Sequence, residues 1–297
     1  MTFKVLLFGA NGQVGHACGK ALGEIDAELV ALDRRAADFA DPQAVYEVIK
    51  QQAPDFVVNA CAYTAVDKAE SDAELAHAVN AASVTRMGEA CAELGIPTLH
   101  LSTDYVFNGT ADQPYTEDSA VDPIGVYGAS KLAGEQGLQA ANPRHIIMRT
   151  SWVFGEQGNN FVKTMLRLGA ERPELGVVGD QIGCPSYSGD LAHIIRLWVQ
   201  AYQRNPQQPW GIYHCSNKGQ CSWYEFAAAV FAAGVDCGLL PKAPQLKQLT
   251  TDQYPTVAAR PAYSVLNCDK LEAALGVALP HWQAGLNNVC NALKAAR

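Results

Sequence analysis

Residues Phe3–Phe8 form an almost wholly apolar run. A glycine-rich stretch follows, and then apolar residues at helical spacing: Val14, Ala17, Cys18, Ala21 and Leu22. This order predicts a strand, a tight turn and a helix. Further strands are expected at Glu28–Leu32, Asp55–Val58, Thr98–Ser102 and His145–Arg149, alternating with helical stretches such as Gln43–Gln51 and Asp72–Leu94. Near-continuous apolar strands are buried on both faces, so the pattern predicts an α/β fold with a doubly wound parallel sheet. Beyond about Ser151 the rhythm loosens, with prolines scattered among shorter helical pieces at Ser188–Gln203 and Ser222–Ala233. Residues 1–151, with the glycine-rich stretch placed between the first strand and the first helix, read as a dinucleotide-binding domain. Residues 152–297 read mainly as a smaller C-terminal α/β substrate lobe, with the chain free to cross between the two.

Composition narrows the choice of partner. The 297 residues carry a formal net charge of −8, with 48% hydrophobic and 18% charged residues. That is ordinary globular composition, and its acidity opposes nonspecific attraction to nucleic acid or anionic lipid. A small-molecule partner fits better. The nine cysteines have neither CxxC pairing nor zinc-ligand spacing, which suggests reduced thiols. The N-terminus lacks the pattern of a signal peptide, and no apolar stretch is long enough to span a bilayer, so a cytoplasmic location is expected.

The first chemistry lies in Gly9-Ala10-Asn11-Gly12-Gln13-Val14-Gly15, where the first strand hands over to the first helix. Gly9 permits the sharp turn, Gly12 lets backbone approach a pyrophosphate, and Gly15 allows close helix–strand packing. The helix amides then face the anion, with Asn11, Gln13 and Val14 as further cofactor contacts. Asp33, at the end of the second strand, suits the ribose hydroxyls of NADH, whereas Arg34 and Arg35 suit the 2′-phosphate of NADPH. Use of either cofactor is expected. Asp38 and Phe39, and then Asn59-Ala60-Cys61-Ala62-Tyr63-Thr64 after the third strand, are candidate adenine and ribose walls; small residues there would equally serve tight packing.

Tyr127 and Lys131 stand four residues apart, a spacing that puts both on one helix face. A nearby ammonium stabilises phenolate and brings tyrosine, with a free pKa of roughly 10, toward useful proton exchange. Lysine can also hydrogen-bond ribose. Thr103, at the expected end of the preceding strand, supplies a hydroxyl for a substrate oxygen as charge develops, with Asp104 beside it to orient substrate or cap a turn.

Ser102–Phe107, Tyr127–Lys131 and Arg149–Phe154, together with Thr64–Glu70, Asn159–Phe161, Gly179–Gln181 and Arg260-Pro261, resemble the dTDP-4-dehydrorhamnose reductase family of extended short-chain dehydrogenases nearly end to end. The resemblance implies a Rossmann-type sheet, a sugar-nucleotide lobe, and NAD(P)H-dependent reduction of a 4-keto dTDP-sugar. It assigns Thr103, Tyr127 and Lys131 to catalysis, Asp104, Trp152 and Val66 to substrate, and Asn80 to support of the tyrosine–lysine pair. Asn160 falls in one of the matching motifs and is a further substrate candidate. Arg260 is a candidate for the diphosphate, or alternatively the partner of a surface carboxylate. Some family members join subunits through magnesium held by glutamates; Ala17 stands at one such position, so Mg2+ is doubtful, no catalytic metal is expected, and a monomer or homodimer stays open. Two competing readings share this ancestry: an epimerase or dehydratase that retains NAD, and a noncatalytic subunit resembling the methionine adenosyltransferase regulatory protein.

Overall fold

The computed structural model describes residues 2–296. In chain order the first half contains β1 (Lys4–Phe8), α1 (Gln13–Leu22), β2 (Glu28–Leu32), α2 (Pro42–Gln52), β3 (Phe56–Asn59), α3 (Val66–Ala69), α4 (Ala73–His77), α5 (Ser83–Leu94), β4 (Thr98–Thr103), α6 (Val126–Ala141) and β5 (His145–Thr150). It continues with β6 (Val153–Phe154), α7 (Phe161–Glu171), β7 (Glu174–Val178), β8 (Ile182–Gly183), β9 (Ser186–Tyr187), α8 (Ser188–Arg204), β10 (Gly211–His214), β11 (Cys221–Ser222), α9 (Trp223–Asp236), β12 (Gln245–Leu249), α10 (Asp269–Leu275) and α11 (Trp282–Ala295).

Six parallel strands make the main sheet in the order β10-β5-β4-β3-β1-β2. Alternation along each strand sends side chains to opposite faces. Val5, Leu7, Phe56, Val58, Leu99, Ile146 and Met148 pack under α1 and α8 on one side. Leu6, Phe8, Val57 and Ile147 pack under α2, α5 and α6 on the other. Because β2 and β3 flank β1, successive crossovers leave in opposite directions, and a crevice opens at the strands' C-terminal ends.

On the face covered by α5 and α6, the same alternation places polar residues at the strand ends. Asn59, His100, Ser102 and Arg149 are all buried, beneath the buried Lys131 and Glu135 of α6. Arg149 forms a bidentate ion pair with Glu135, with contacts of 2.6 and 3.0 Å, and Ser102 donates to the same carboxylate at 2.5 Å. Charges so far from water persist only when paired and hydrogen-bonded.

The helix expected over Asp72–Leu94 is interrupted. Between α4 and α5, residues Ala78–Ala82 form a π-helical turn containing the fully buried Asn80. Its carboxamide accepts from the Tyr63 amide at 2.8 Å and donates to the Tyr63 carbonyl and the Ser130 hydroxyl, both at 3.0 Å. A wide turn of this kind commonly marks a functional position within a helix.

A second core lies in the C-terminal half, where α7, α9 and α11 gather Phe154, Val162, Phe226, Phe231, Trp282 and Leu286 with β7. Here β7 pairs with β12. Ser222 caps α9 in a reciprocal capping box with Glu225, which accounts for the sharp start of that helix. Between these pieces the chain returns to the sheet: β10 pairs with β5, and α8 packs beside α1 onto the same core.

Candidate active site

The turn after β1 is built around close backbone approaches. Gly9 adopts φ +78°, and a Cβ there would stand 2.7 Å from the Cys61 nitrogen. A Cβ on Gly15 would lie 1.9 Å from the Gly9 carbonyl oxygen, so only hydrogen fits where α1 crosses the turn. No side chain caps α1 at Gly12, which leaves the first-turn amides available to an anion. Val14 packs toward the sheet core. Gln13 reaches into the second lobe, where its Oε1 accepts from Asn160 Nδ2 at 2.9 Å.

Asp33 closes the outer side of this turn, accepting from Asn11 Nδ2 at 3.2 Å and from the Arg35 and Ala36 amides. Arg34 is largely exposed and faces Asp38 at 3.4 Å. Phe39 is buried in the sheet core edge-on to Phe8, and its carbonyl accepts from Ser83, so its ring lines no open wall. Ala62, Tyr63 and Thr64 run along the crevice, where Asn80 grips the Tyr63 backbone. Val66 opens α3 and is half-buried.

Tyr127 and Lys131 share the inner face of α6. Gly128 lets the first turn of that helix approach the chain after β4: a Cβ there would meet the Tyr105 carbonyl oxygen at 2.1 Å. Glu70 fixes the helix start by accepting from the Val126 amide at 2.9 Å. Tyr127 meets Tyr105 edge-on, with ring centroids 5.4 Å apart. Its phenol borders the crevice but is densely surrounded; desolvation pushes it up to about 12, against an opposing hydrogen bond with Thr103. Lys131 is buried and donates to the Leu101 carbonyl at 2.6 Å. Burial draws its ammonium down to about 8, with Glu135 and Cys61 pulling the other way.

Thr103 ends β4 and donates to Asp104 Oδ1 at 3.0 Å. Burial raises the Asp104 carboxyl to about 6 despite hydrogen bonds from Ser264 and Thr103. Its Oδ2 is buried without a hydrogen-bond partner.

Beyond Tyr105 a cavity of about 670 Å3 runs between the sheet and the second lobe, lined in part by Asp67, Phe161, Arg172, Trp223 and Arg260. Trp152, held at φ +46° between β5 and β6, stacks on Trp223 with centroids 3.5 Å apart, and Trp223 together with Phe161 presents the aromatic wall. Asn160 caps α7 through the Lys163 amide and bonds Gln13, so it ties the lobe to the glycine turn. Arg260 pairs with Asp67 at 2.8 Å across the mouth of the cavity. Desolvation opposes ionisation of Asp67, but the Ala258 amide and Arg260 outweigh it and hold the carboxyl below its ordinary range.

Motif reading passes over His100, Glu135 and Trp223, and gives Asp67 no role of its own within the Thr64–Glu70 motif. Only a histidine amid the apolar Thr98–Ser102 run, and a glutamate one turn beyond Lys131, signal the buried polar layer in advance.

A parallel sheet with a glycine turn at its switch point, and a threonine, tyrosine and lysine converging beside it, defines an extended short-chain dehydrogenase/reductase. The family model described as the RmlD substrate binding domain matches residues 3–295. The chain is 42% identical over 293 residues to the dTDP-4-dehydrorhamnose reductase of Escherichia coli (strain K12), covering 97% of each. The crystal structure of a dTDP-4-dehydrorhamnose reductase from Clostridium acetobutylicum superposes with a TM-score of 0.90 at 37% identity, over 98% of this chain and 100% of that one. One from Bacillus anthracis, in complex with NADP, gives 0.87 at 35%, over 97% and 99%. This chain belongs to the dTDP-4-dehydrorhamnose reductase family.

Proposed function

We propose that the chain reduces the C4 ketone of dTDP-4-dehydro-L-rhamnose to give dTDP-L-rhamnose, using NADPH or NADH. The observation that carries this reading is the convergence of Thr103, Tyr127 and Lys131 beside a glycine turn in which Gly9 and Gly15 leave no room for a Cβ. The turn fits a dinucleotide: its uncapped helix amides suit a pyrophosphate, and Asp33 suits a ribose. The Bacillus anthracis relative holds NADP, and here Arg34 stands exposed beside Asp33, able to serve a 2′-phosphate.

When bound, the reduced nicotinamide supplies the hydride that the C4 carbon accepts. The carbonyl electron pair moves onto oxygen, and the Tyr127 hydroxyl delivers its proton there while Thr103 holds that oxygen in place. Positioned acid catalysis of this kind contributes about 10²–10⁴-fold. Lys131 stabilises the resulting phenolate and grips the cofactor ribose, and Asp104 Oδ2 accepts from a sugar hydroxyl. The cavity lined by Phe161, Trp223 and Arg260 receives the nucleotide, its aromatic rings covering the base. The second core and its surrounding strands act as the substrate lobe. Among the described residues no helix is long and apolar enough to cross a membrane. Nine free cysteines suit a reducing compartment, the cytoplasm.

Mixing the protein with dTDP-4-dehydro-L-rhamnose and NADPH or NADH checks the reaction. One cofactor should be oxidised per dTDP-L-rhamnose formed. Sugar conversion without net cofactor loss would instead identify an epimerase or dehydratase cycle.

A further inference from the structure

Beneath Lys131 runs a buried chain of hydrogen bonds that the mechanism above leaves unused. Asn59 ends β3 and His100 lies beside it in register on β4; both are fully buried. The Cys61 amide donates to Asn59 Oδ1 at 2.9 Å, which turns Asn59 Nδ2 toward His100 Nδ1 at 3.0 Å. A carboxamide nitrogen is only a donor, so Nδ1 must accept, and the neutral imidazole then carries its single proton on Nε2. Burial and the neighbouring Lys131 charge hold His100 well below its ordinary value, which keeps the ring neutral. Its Nε2 stands 3.1 Å from Lys131 Nζ.

This contact is decisive in sign. Against an ammonium, an Nε2–H group opposes donor to donor; against an amine, it bonds into the nitrogen lone pair. We propose that His100, fixed in the Nε2–H tautomer by Asn59, is a positioning residue that favours the amine form of Lys131 and thereby lets the lysine pass its proton to Tyr127 after each turnover. In that step the Lys131 N–H bond breaks, the Tyr127 O–H bond reforms, and the amine left behind accepts from His100 until solvent reprotonates it. No oxidant or reductant is consumed. The other charged and titratable groups facing Lys131 are Glu135 on its own helix and Cys61 after β3, with Arg149 on β5 engaging Glu135 from behind. Burial outweighs the pull of Glu135 and Cys61 and brings the ammonium down to about 8.

The inference rests on Lys131 serving Tyr127, but its first test does not. Nitrogen-15 NMR of histidine in the full-length, ligand-free protein, with the His100→Phe variant to assign the resonance, should show Nε2 protonated and Nδ1 bare at neutral pH. A protonated Nδ1 would overturn the proposal.

The second test is a pH profile of kcat/KM, whose alkaline limb reports Lys131. Asn59→Asp keeps an oxygen for the Cys61 amide but places an acceptor against His100 Nδ1. The tautomer should reverse, Nε2 should then accept from the ammonium, and the limb should move up by about one pH unit. In the His100→Phe background the same substitution should move the limb much less. Equal shifts in the two backgrounds would show that the added charge acts without His100, and the proposal would fail. Absence of cofactor oxidation by the unsubstituted protein would instead defeat the reductase reading, leaving the tautomer result standing on its own.

Discussion

Asp104, proposed to bind the sugar, is also a costly residue to bury. Its carboxyl is buried, has one oxygen unpartnered, and is raised from the ordinary 3.8 to about 6 by desolvation. The folded state therefore holds this proton more tightly than the unfolded chain does. The stability it contributes is full below about 4 and is lost as pH rises through about 6. That rise corresponds to about 3 kcal/mol between the two protonation states. Asp104→Asn should raise the thermal unfolding midpoint of ligand-free protein at pH 7.5 and lower sugar-nucleotide turnover, with the stability gain shrinking as pH falls toward 4. A constant gain across that range would show that the carboxylate is not the source. Asp104 and Thr103 could be read from sequence because they are adjacent in the motif that follows a strand. Phe39 was expected at a cofactor wall and instead packs on Phe8, since an aromatic ring after a strand can turn into the sheet as readily as out of it.

At the scale of elements, the strand–turn–helix rhythm was legible because parallel strands covered on both faces leave long apolar runs. The break between α4 and α5 was not, because Ala78–Ala82 has good helix formers and no proline or glycine to mark it. The π turn is imposed by tertiary contacts: Asn80 bonds Tyr63 and Ser130, and α6 presses close enough that a Cβ on Gly134 would lie 1.9 Å from the Asn80 carbonyl oxygen. Gly134→Ala must therefore push α6, and with it Tyr127 and Lys131, away from the crevice. Overpacking of this kind costs about 1–3 kcal/mol. Urea unfolding should record that loss together with a fall in kcat; unchanged stability and turnover would mean that α6 is free to shift without consequence. The polar layer of Asn59, His100, Glu135 and Arg149 was likewise hidden, because its members come from four separate elements that only the sheet brings together.

On the scale of the whole molecule, an acidic chain of net charge −8 is expected to take an anionic sugar nucleotide, so attraction must come from cations at the cleft. Arg260 is one, contributed by the C-terminal half and paired with Asp67 of the N-terminal half. Sequence alone left its partner open between phosphate and carboxylate; the structure shows the carboxylate in place, and a diphosphate would compete for the same guanidinium. A hydrogen bond to a charged group is worth about 1.5–3 kcal/mol. Arg260→Gln should accordingly raise KM for the sugar nucleotide about tenfold or more, with kcat and the cofactor KM little changed. An unaltered sugar-nucleotide KM would assign Arg260 to the Asp67 pair alone.

In the proposed reaction the Tyr127 hydroxyl protonates the oxygen of a ketone reduced beside it. Single-turnover reduction of dTDP-4-dehydro-L-rhamnose by Tyr127→Phe, with both ligands at saturating concentration and their binding measured separately, tests this directly. Binding should stay near normal while the chemical step slows by about 10²-fold or more. A chemical step at the unsubstituted rate would contradict it.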